Sequence, residues 1–371
     1  MAGSAFTEAE IQHQPDVWRA TRAVVADARS EADDLLAAAL ADPRTRVVLT
    51  GAGTSAYAGE LLAPELSRTL GRPVEAVPTT DIVTDPDTVA GGDRPVLLVS
   101  FARSGNSPES VAAAELVDRL AASAHHLVIT CNAEGALSRR YTGAGNATVI
   151  ALPPATNDRG FAMTSSFTSM VLAAYLCLGG DADVDALADA AQSVLGGADD
   201  IAKTVTALAP GRIVYLGSGS LKGLAHEAAL KCLELTAGDV AALGESTLAF
   251  RHGPKAALTP DTLAAVFVSG DAYRRAYDLD LVRELVSSLG AARVVVIADR
   301  AYESGVVQWT VPRPPGLPDA LWAVAAVIPA QLTALACALA RGHTPDNPFP
   351  AGEVNRVVRG VTIHPFGEGE D

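Results

Sequence analysis

Val47-Val48-Leu49-Thr50-Gly51-Ala52-Gly53-Thr54-Ser55 decides the fold: a short β-prone run ends in a glycine turn, and a helical pattern follows toward Leu70. That is the signature of strand, tight turn and helix. The unit returns at Val96-Leu97-Leu98-Val99-Ser100, with Arg103-Ser104-Gly105-Asn106-Ser107 as its turn and a helix expected from Pro108 to about Ala122. Proline suits the first helical turn because its missing N–H has no partner there. A third strand is expected at His126–Thr130, its start marked by His125 and His126, and a fourth at Ala147–Leu152. Strands alternating with helices require parallel pairing through right-handed crossovers, so this half reads as a doubly wound sheet.

After Pro210-Gly211 the pattern restarts: Arg212-Ile213-Val214-Tyr215-Leu216 leads into Gly217-Ser218-Gly219-Ser220 and a helix through His226, Lys231 and Glu234. Further strands are expected at Leu263–Val268, Arg293–Ala298 and Val306–Val311, with helices at Val184–Leu208, Tyr273–Leu289 and Pro318–Arg341. The expected fold is α/β, with two doubly wound parallel-sheet domains in tandem. The expected division is an N-terminal arm (1–28), a first domain with an anion cradle (29–182), a second domain (183–343) and a C-terminal tail (344–371). Both ends lie outside the two copies, within reach of a subunit boundary.

A length of 371 residues suits two ordinary domains, and 49% hydrophobic with 19% charged residues excludes a largely disordered chain. The net charge of -15 repels nucleic acid and anionic membranes, so neither is an expected partner and any phosphate must be held locally. Cys131, Cys177, Cys232 and Cys337 form no metal-binding spacing and read as free thiols of a reducing compartment. The N-terminus has no secretory pattern, and the expected location is the cytoplasm. Leu321–Ala340 is long and apolar enough to span a bilayer, yet Pro329 and Gln331 interrupt it, and a buried helix is the better expectation. Histidines at metal spacing, a third glycine at dinucleotide spacing and a P-loop are all missing from the sequence, so neither a metal nor a cofactor is expected.

Ligands of open parallel sheets sit beyond the carboxyl ends of the strands, where both turns of the first half lie. Gly51 and Gly53 let the backbone approach an anion, Thr54, Ser55, Ser104 and Ser107 supply hydroxyls, and two helix N-termini add N–H groups. The expectation is a phosphate cradle without a lysine beside it. Lys231 and Glu234 share a face of a helix that is apolar nearly all round, which points to burial. Gly244–Lys255 packs charge, glycine and proline into a loop around His252, a setting where catalytic groups concentrate.

Gly53-Thr54-Ser55, Ser104-Gly105-Asn106-Ser107, Ala228-Ala229-Leu230-Lys231-Cys232-Leu233-Glu234-Leu235 and Arg251-His252-Gly253-Pro254 resemble the double sugar-isomerase (SIS) domain proteins, which include the isomerase half of glutamine:fructose-6-phosphate aminotransferase. Phe6-Thr7-Glu8-Ala9-Glu10-Ile11, Gln14-Pro15-Asp16-Val17-Trp18-Arg19, Phe101–Ser107, Asn157–Ser166 and Asn355–Val361 resemble the AgaS-type branch. The resemblance implies flavodoxin-like, three-layer αβα domains. It also implies a deaminase/isomerase turning a hexosamine 6-phosphate, galactosamine 6-phosphate favoured, into ketose 6-phosphate and ammonia. The alternatives are a tagatose-6-phosphate type ketose/aldose isomerase without deamination and a non-catalytic sugar-phosphate-binding module.

By the same resemblance, Ser55, Ser104 and Ser107 hold the phosphate together with Gly53, Thr54, Arg103 and Asn106. Thr164 and Ser165 lie close to the sugar, and Asn355 and Arg356 approach from the tail. Glu234 moves a proton between C1 and C2, Lys231 supports the enediol, and His252 assists ring opening from a neighbouring subunit. A homodimer or larger oligomer with a shared active site is therefore implied. Ala102 and Arg103 depart from the serine and glutamine of the aminotransferase, and the tail offers Asn355, Arg356 and Arg359 where that enzyme has a lysine. Arginine stays protonated and forms no Schiff base. No glutaminase-type segment accompanies these motifs, so release of ammonia is the expected direction.

Overall fold

The computed structural model of the protein describes residues 3–303, 305–358 and 360–367. Three helices, α1 (Ala5–Gln12), α2 (Gln14–Asp27) and α3 (Arg29–Ala39), lead into β1 (Arg46–Thr50) and α4 (Thr54–Leu70). There follow β2 (Val74–Ala76), α5 (Thr79–Thr84), α6 (Asp87–Ala90), β3 (Val96–Ala102), α7 (Pro108–Leu120), β4 (Ala124–Thr130), α8 (Ala136–Tyr141), β5 (Ala147–Ala151) and α9 (Ser165–Cys177). The second half comprises α10 (Val184–Leu195), α11 (Ala198–Leu208), β6 (Arg212–Gly217), α12 (Ser220–Leu235), β7 (Ala241–Glu245), β8 (Thr262–Phe267), α13 (Ala272–Leu289), β9 (Val294–Ala298), β10 (Val307–Thr310), α14 (Asp319–Ala326) and α15 (Ile328–Ala340).

Strands pair in the order β2-β1-β3-β4-β5 and, in the second half, β7-β6-β8-β9-β10, all in parallel. The two halves therefore repeat each other strand for strand. Parallel sheets are covered on both faces, which is why β3 and β8 are apolar runs buried at every position rather than alternating ones. The edge strands β2 and β7 escape a sequence reading. Val74-Glu75-Ala76 is short and Ala241-Ala242-Leu243-Gly244-Glu245 lacks β-branched residues, so only pairing with β1 and β6 makes them strands.

Other elements differ from expectation for local reasons. The helix expected over Val184–Leu208 divides at Gly196-Gly197, where glycine weakens a helix interior. The apolar segment Asp319–Ala340 is 89% buried inside the molecule and divides before Pro329, which cannot donate to the helix ladder. His125 and His126 lie within β4 rather than capping it, and His126 Nε2 meets Asp118 on α7 at 2.8 Å. The arm does not stand apart from the first half. α2 packs on α9 and α10, and its fully buried Trp18 donates Nε1–H to Thr168 Oγ1 at 2.9 Å.

The halves meet through α4 and α12, which pack antiparallel. Gly223 makes the approach possible, because a Cβ there would stand 2.5 Å from the backbone nitrogen of Leu61 and 2.8 Å from its Cα. Gly223→Ala is expected to lower stability by about 1–3 kcal/mol, the usual cost of overpacking a close contact. Gly145→Ala, whose Cβ would meet nothing within 4 Å, serves as the control. Urea unfolding checks both; equal midpoints for the two variants would contradict the close-approach argument.

Candidate active site

The turn after β1 owes its shape to Gly53 (φ 57°, ψ -126°), and Gly219 repeats it after β6 (φ 60°, ψ -127°). Side chains other than hydrogen are penalised in that region, so glycine starts both helices. In the first half the turns after β1 and β3 face one hollow. Ser55, Ser104 and Ser107 together line a cavity of about 110 Å³, along with Phe101 and Ala102 of β3 and Arg356, Val357 and Val358 of the tail. Ser110, not singled out in the sequence, lines it too and accepts a hydrogen bond from Ser107 Oγ at 2.6 Å. Its signal was the i,i+3 spacing from Ser107 along one helical face.

The matching turns of the second half are filled by the chain's own carboxylates. Asp278 accepts from Ser218 Oγ, from Thr247 Oγ1 at 3.2 Å and from Ser269 N at 3.0 Å. Asp319 accepts from Ser269 Oγ and from Gly270 N at 2.9 Å, and pairs with Arg274 at 3.2 Å and Arg313 at 3.0 Å. Hydroxyls already bonded to an internal anion are not available to an external one. Of the two cradles, the first-half one is the open one.

Lys231, fully buried on α12, reaches across the contact between the halves and donates to Thr54 Oγ1 at 2.8 Å. The cradle is thus not free of lysine, as the sequence suggested. The same Nζ pairs closely with Glu234 Oε2 and lies 3.4 Å from Glu227 Oε1. Glu227 was missed, although its place four residues before Lys231 puts it on the same helical face. Burial pushes the Glu227 carboxyl up to about 8, against the opposing pull of Lys231. Burial also works against the Lys231 ammonium, but Glu227 and Glu234 outweigh it and raise its pKa. Lys231 and Glu227 are sealed from solvent, whereas the Glu234 side chain is 23% exposed and is the member of the trio that can meet a ligand.

The remaining candidates are dispersed. Arg103 lines the cavity, but its guanidinium donates to the carbonyls of Phe161 (3.0 Å) and Arg356 (2.8 Å). Asn106 turns away to cap α8, accepting from Ala136 N at 2.9 Å. Thr164 and Ser165 are fully buried and outside the cavity lining. Asp158 takes the Ser165 hydroxyl at 2.6 Å and Thr164 N at 2.8 Å. Asn355 bonds Gly352 O at 3.2 Å, and Arg359 lies outside the described residues. His252 is exposed on a turn fixed by Glu284, which holds both Arg251, at 2.7 Å, and Lys255. Among the described residues, its ring has no hydrogen bond to any other candidate.

A carboxyl whose pKa is raised on folding holds its proton more tightly in the native chain. It therefore costs stability progressively as pH climbs from the ordinary 4.5 through about 8. Glu227→Gln is expected to flatten that fall and, above pH ~8, to exceed the parent in stability by on the order of a few kcal/mol. Urea midpoints of the two proteins across this window provide the check. Parallel curves would show that Glu227 is already ionised at neutral pH.

Residues 39–178 match the SIS domain family. The AgaS protein of Streptomyces coelicolor is 52% identical over 98% of this chain and 97% of its own length. The D-galactosamine-6-phosphate deaminase AgaS of Escherichia coli is 44% identical over 98% and 97%. Among solved structures, tagatose-6-phosphate ketose/aldose isomerase from Escherichia coli superposes with a TM-score of 0.90 at 40% identity, covering 99% of both chains.

Proposed function

This chain belongs to the SIS-domain family, in the group of the galactosamine-6-phosphate deaminases named AgaS, and from that membership we propose that it converts galactosamine 6-phosphate and water to tagatose 6-phosphate and ammonia. One observation carries the reading: a serine-lined anion cavity and a buried Lys231–Glu234 pair are joined through the same turn, at Thr54.

The 6-phosphate occupies the cavity among Ser55, Ser104 and Ser107, which leaves the far end of the sugar toward α12. Once the ring opens, Glu234 takes the C2 proton, the C1 carbonyl becomes an enol, and the proton returns at C1. C2 is then an imine. Water adds to it and ammonia departs, so the atoms of aminosugar and water are all accounted for. One carboxylate suffices because C1 and C2 are adjacent. Lys231 is sealed behind Thr54 and acts as a positioning residue, fixing the Glu234 carboxylate by charge rather than touching the sugar. His252, exposed and absent from its own chain's cavity lining, serves the site of a second copy, which makes the working unit at least a dimer. Free, buried cysteines support a cytoplasmic enzyme.

The close structural likeness to a protein named tagatose-6-phosphate ketose/aldose isomerase favours a second reading, the same proton transfer without C–N cleavage. Ammonia release separates the two: deamination predicts one ammonia per galactosamine 6-phosphate consumed, and pure isomerisation predicts none.

Glu234→Gln is expected to bind sugar phosphate normally while turnover falls by about 10²–10⁴-fold, the usual worth of a general base. Retained ammonia release in that variant would remove Glu234 from the mechanism. Mixing Glu234→Gln with His252→Ala subunits is expected to restore about a quarter of the parental activity, since half the chains assort into mixed dimers with one intact shared site. Absence of any recovery on subunit exchange would place His252 outside a shared site.

A further inference from the structure

Phe6–Ile11 and Asn157–Ser166 lie far apart in the chain and meet in the fold, yet neither stretch takes part in the proton transfer. Glu10, buried on α1, turns its carboxyl group onto the main chain of the second stretch, accepting from Arg159 N and, through Oε2 at 3.1 Å, from Gly160 N. Among the described residues no other group accepts from these two N–H donors. The approach demands glycine, because a Cβ on Gly160 would stand 2.9 Å from Glu10 Oε2 and 2.9 Å from Thr7 Oγ1.

From that contact the chain runs straight to the cavity. Phe161 O, the next carbonyl, accepts from Arg103 Nη1 at 3.0 Å, and Met163 lines the cavity beside Arg103. Arg103 is almost wholly buried, so the direction of its guanidinium is set by its protein acceptors rather than by water. The far end of the stretch is held separately, where Asp158 takes Thr164 N at 2.8 Å and Ser166 N at 2.9 Å at the start of α9. Residues 159 and 160 are left to Glu10. Burial, and after it the Asp158 carboxylate, raise the Glu10 carboxyl to about 7, and its neutral form still offers a carbonyl oxygen to both N–H groups.

We infer that Glu10 is a positioning residue of the cavity: its carboxyl group holds the main chain at Arg159 and Gly160, and through it the Phe161 carbonyl that aims the Arg103 guanidinium along the cavity lining. The N-terminal helix thereby acts on the site without touching a ligand. A wall that meets the phosphate equally in substrate and transition state changes KM and leaves kcat alone. The inference rests on the cavity being the phosphate site and is independent of whether C–N cleavage follows.

Four variants of the full chain test it, with ammonia release from galactosamine 6-phosphate giving KM and kcat and calorimetry giving the affinity for inorganic phosphate. Glu10→Ala is expected to raise KM and weaken phosphate binding by about tenfold, the worth of a lost charge-assisted bond, with kcat within about threefold of the parent. Gly160→Ala keeps the carboxyl group but drives it off the main chain, and the same loss is expected. Glu10→Gln keeps an oxygen acceptor and is expected to recover most of the affinity. Thr7→Val loosens the same helix by removing the hydroxyl that bonds Asp346 at 2.9 Å, and it is expected to lower the urea midpoint while leaving KM unchanged.

A folded Glu10→Ala or Gly160→Ala protein with parental KM and phosphate affinity overturns the inference, as does a Thr7→Val protein that loses as much affinity as they do. Glu10→Gln no better than Glu10→Ala overturns it too. A parent that binds no phosphate removes both the inference and the functional reading. Loss of phosphate affinity in the two alanine variants of a parent that releases no ammonia supports the inference and removes only the deaminase reaction.

Discussion

The hydrogen bond from Lys231 to Thr54 is the constraint on which the rest of the site depends, because it is made across the contact between the two halves of the chain. It forms only if α4 and α12 lie close enough, and Gly223 against Leu61 sets that distance. A buried ammonium is tolerable only when its charge is met, and here Glu234 meets it from the same helix, with the Glu227 carboxyl beside it. The pair of halves is therefore held in one arrangement by packing and by charge at the same place. Removing either would displace Glu234 from the serine-lined cavity.

Duplication gave each half the same strand order and the same glycine-led turn, yet the two cradles ended in opposite states. In the second half Asp278 and Asp319 satisfy the hydroxyls and N–H groups that would otherwise face an anion. That internal bonding closes the second cradle, and the second half instead contributes α12 with Lys231 and Glu234. The first half keeps its serines at an open cavity whose lining includes Arg103 and Arg356, while Lys231 is bonded to Thr54 at the same turn. An overall charge of -15 makes such local concentration necessary, since the protein's wider field repels phosphate.

Glu227 illustrates a site residue that spacing could have disclosed but composition concealed. It sits one turn before Lys231 in a helix rich in alanine and leucine, where a glutamate reads as a surface charge. Arg103, Asn106, Thr164 and Ser165 illustrate the reverse. Their motifs drew attention, but carbonyls, a helix end and Asp158 claim their polar groups. Sequence resemblance gives a residue's address, while the hydrogen bonds around it decide whether its donors remain available.

The sequence by itself determined the alternation of strand, glycine turn and helix, the doubling of that pattern and the pairing of Ser55 with Ser104, because each follows from the conformational limits of neighbouring residues and from parallel topology. It could not determine the edge strands, the docking of the N-terminal helices, the filling of the second cradle by Asp278 and Asp319, or the tail across the first. Those features are contacts between segments far apart in the chain. Their energies come from burial, charge and hydrogen bonds that exist only once the two sheets have been assembled and brought together.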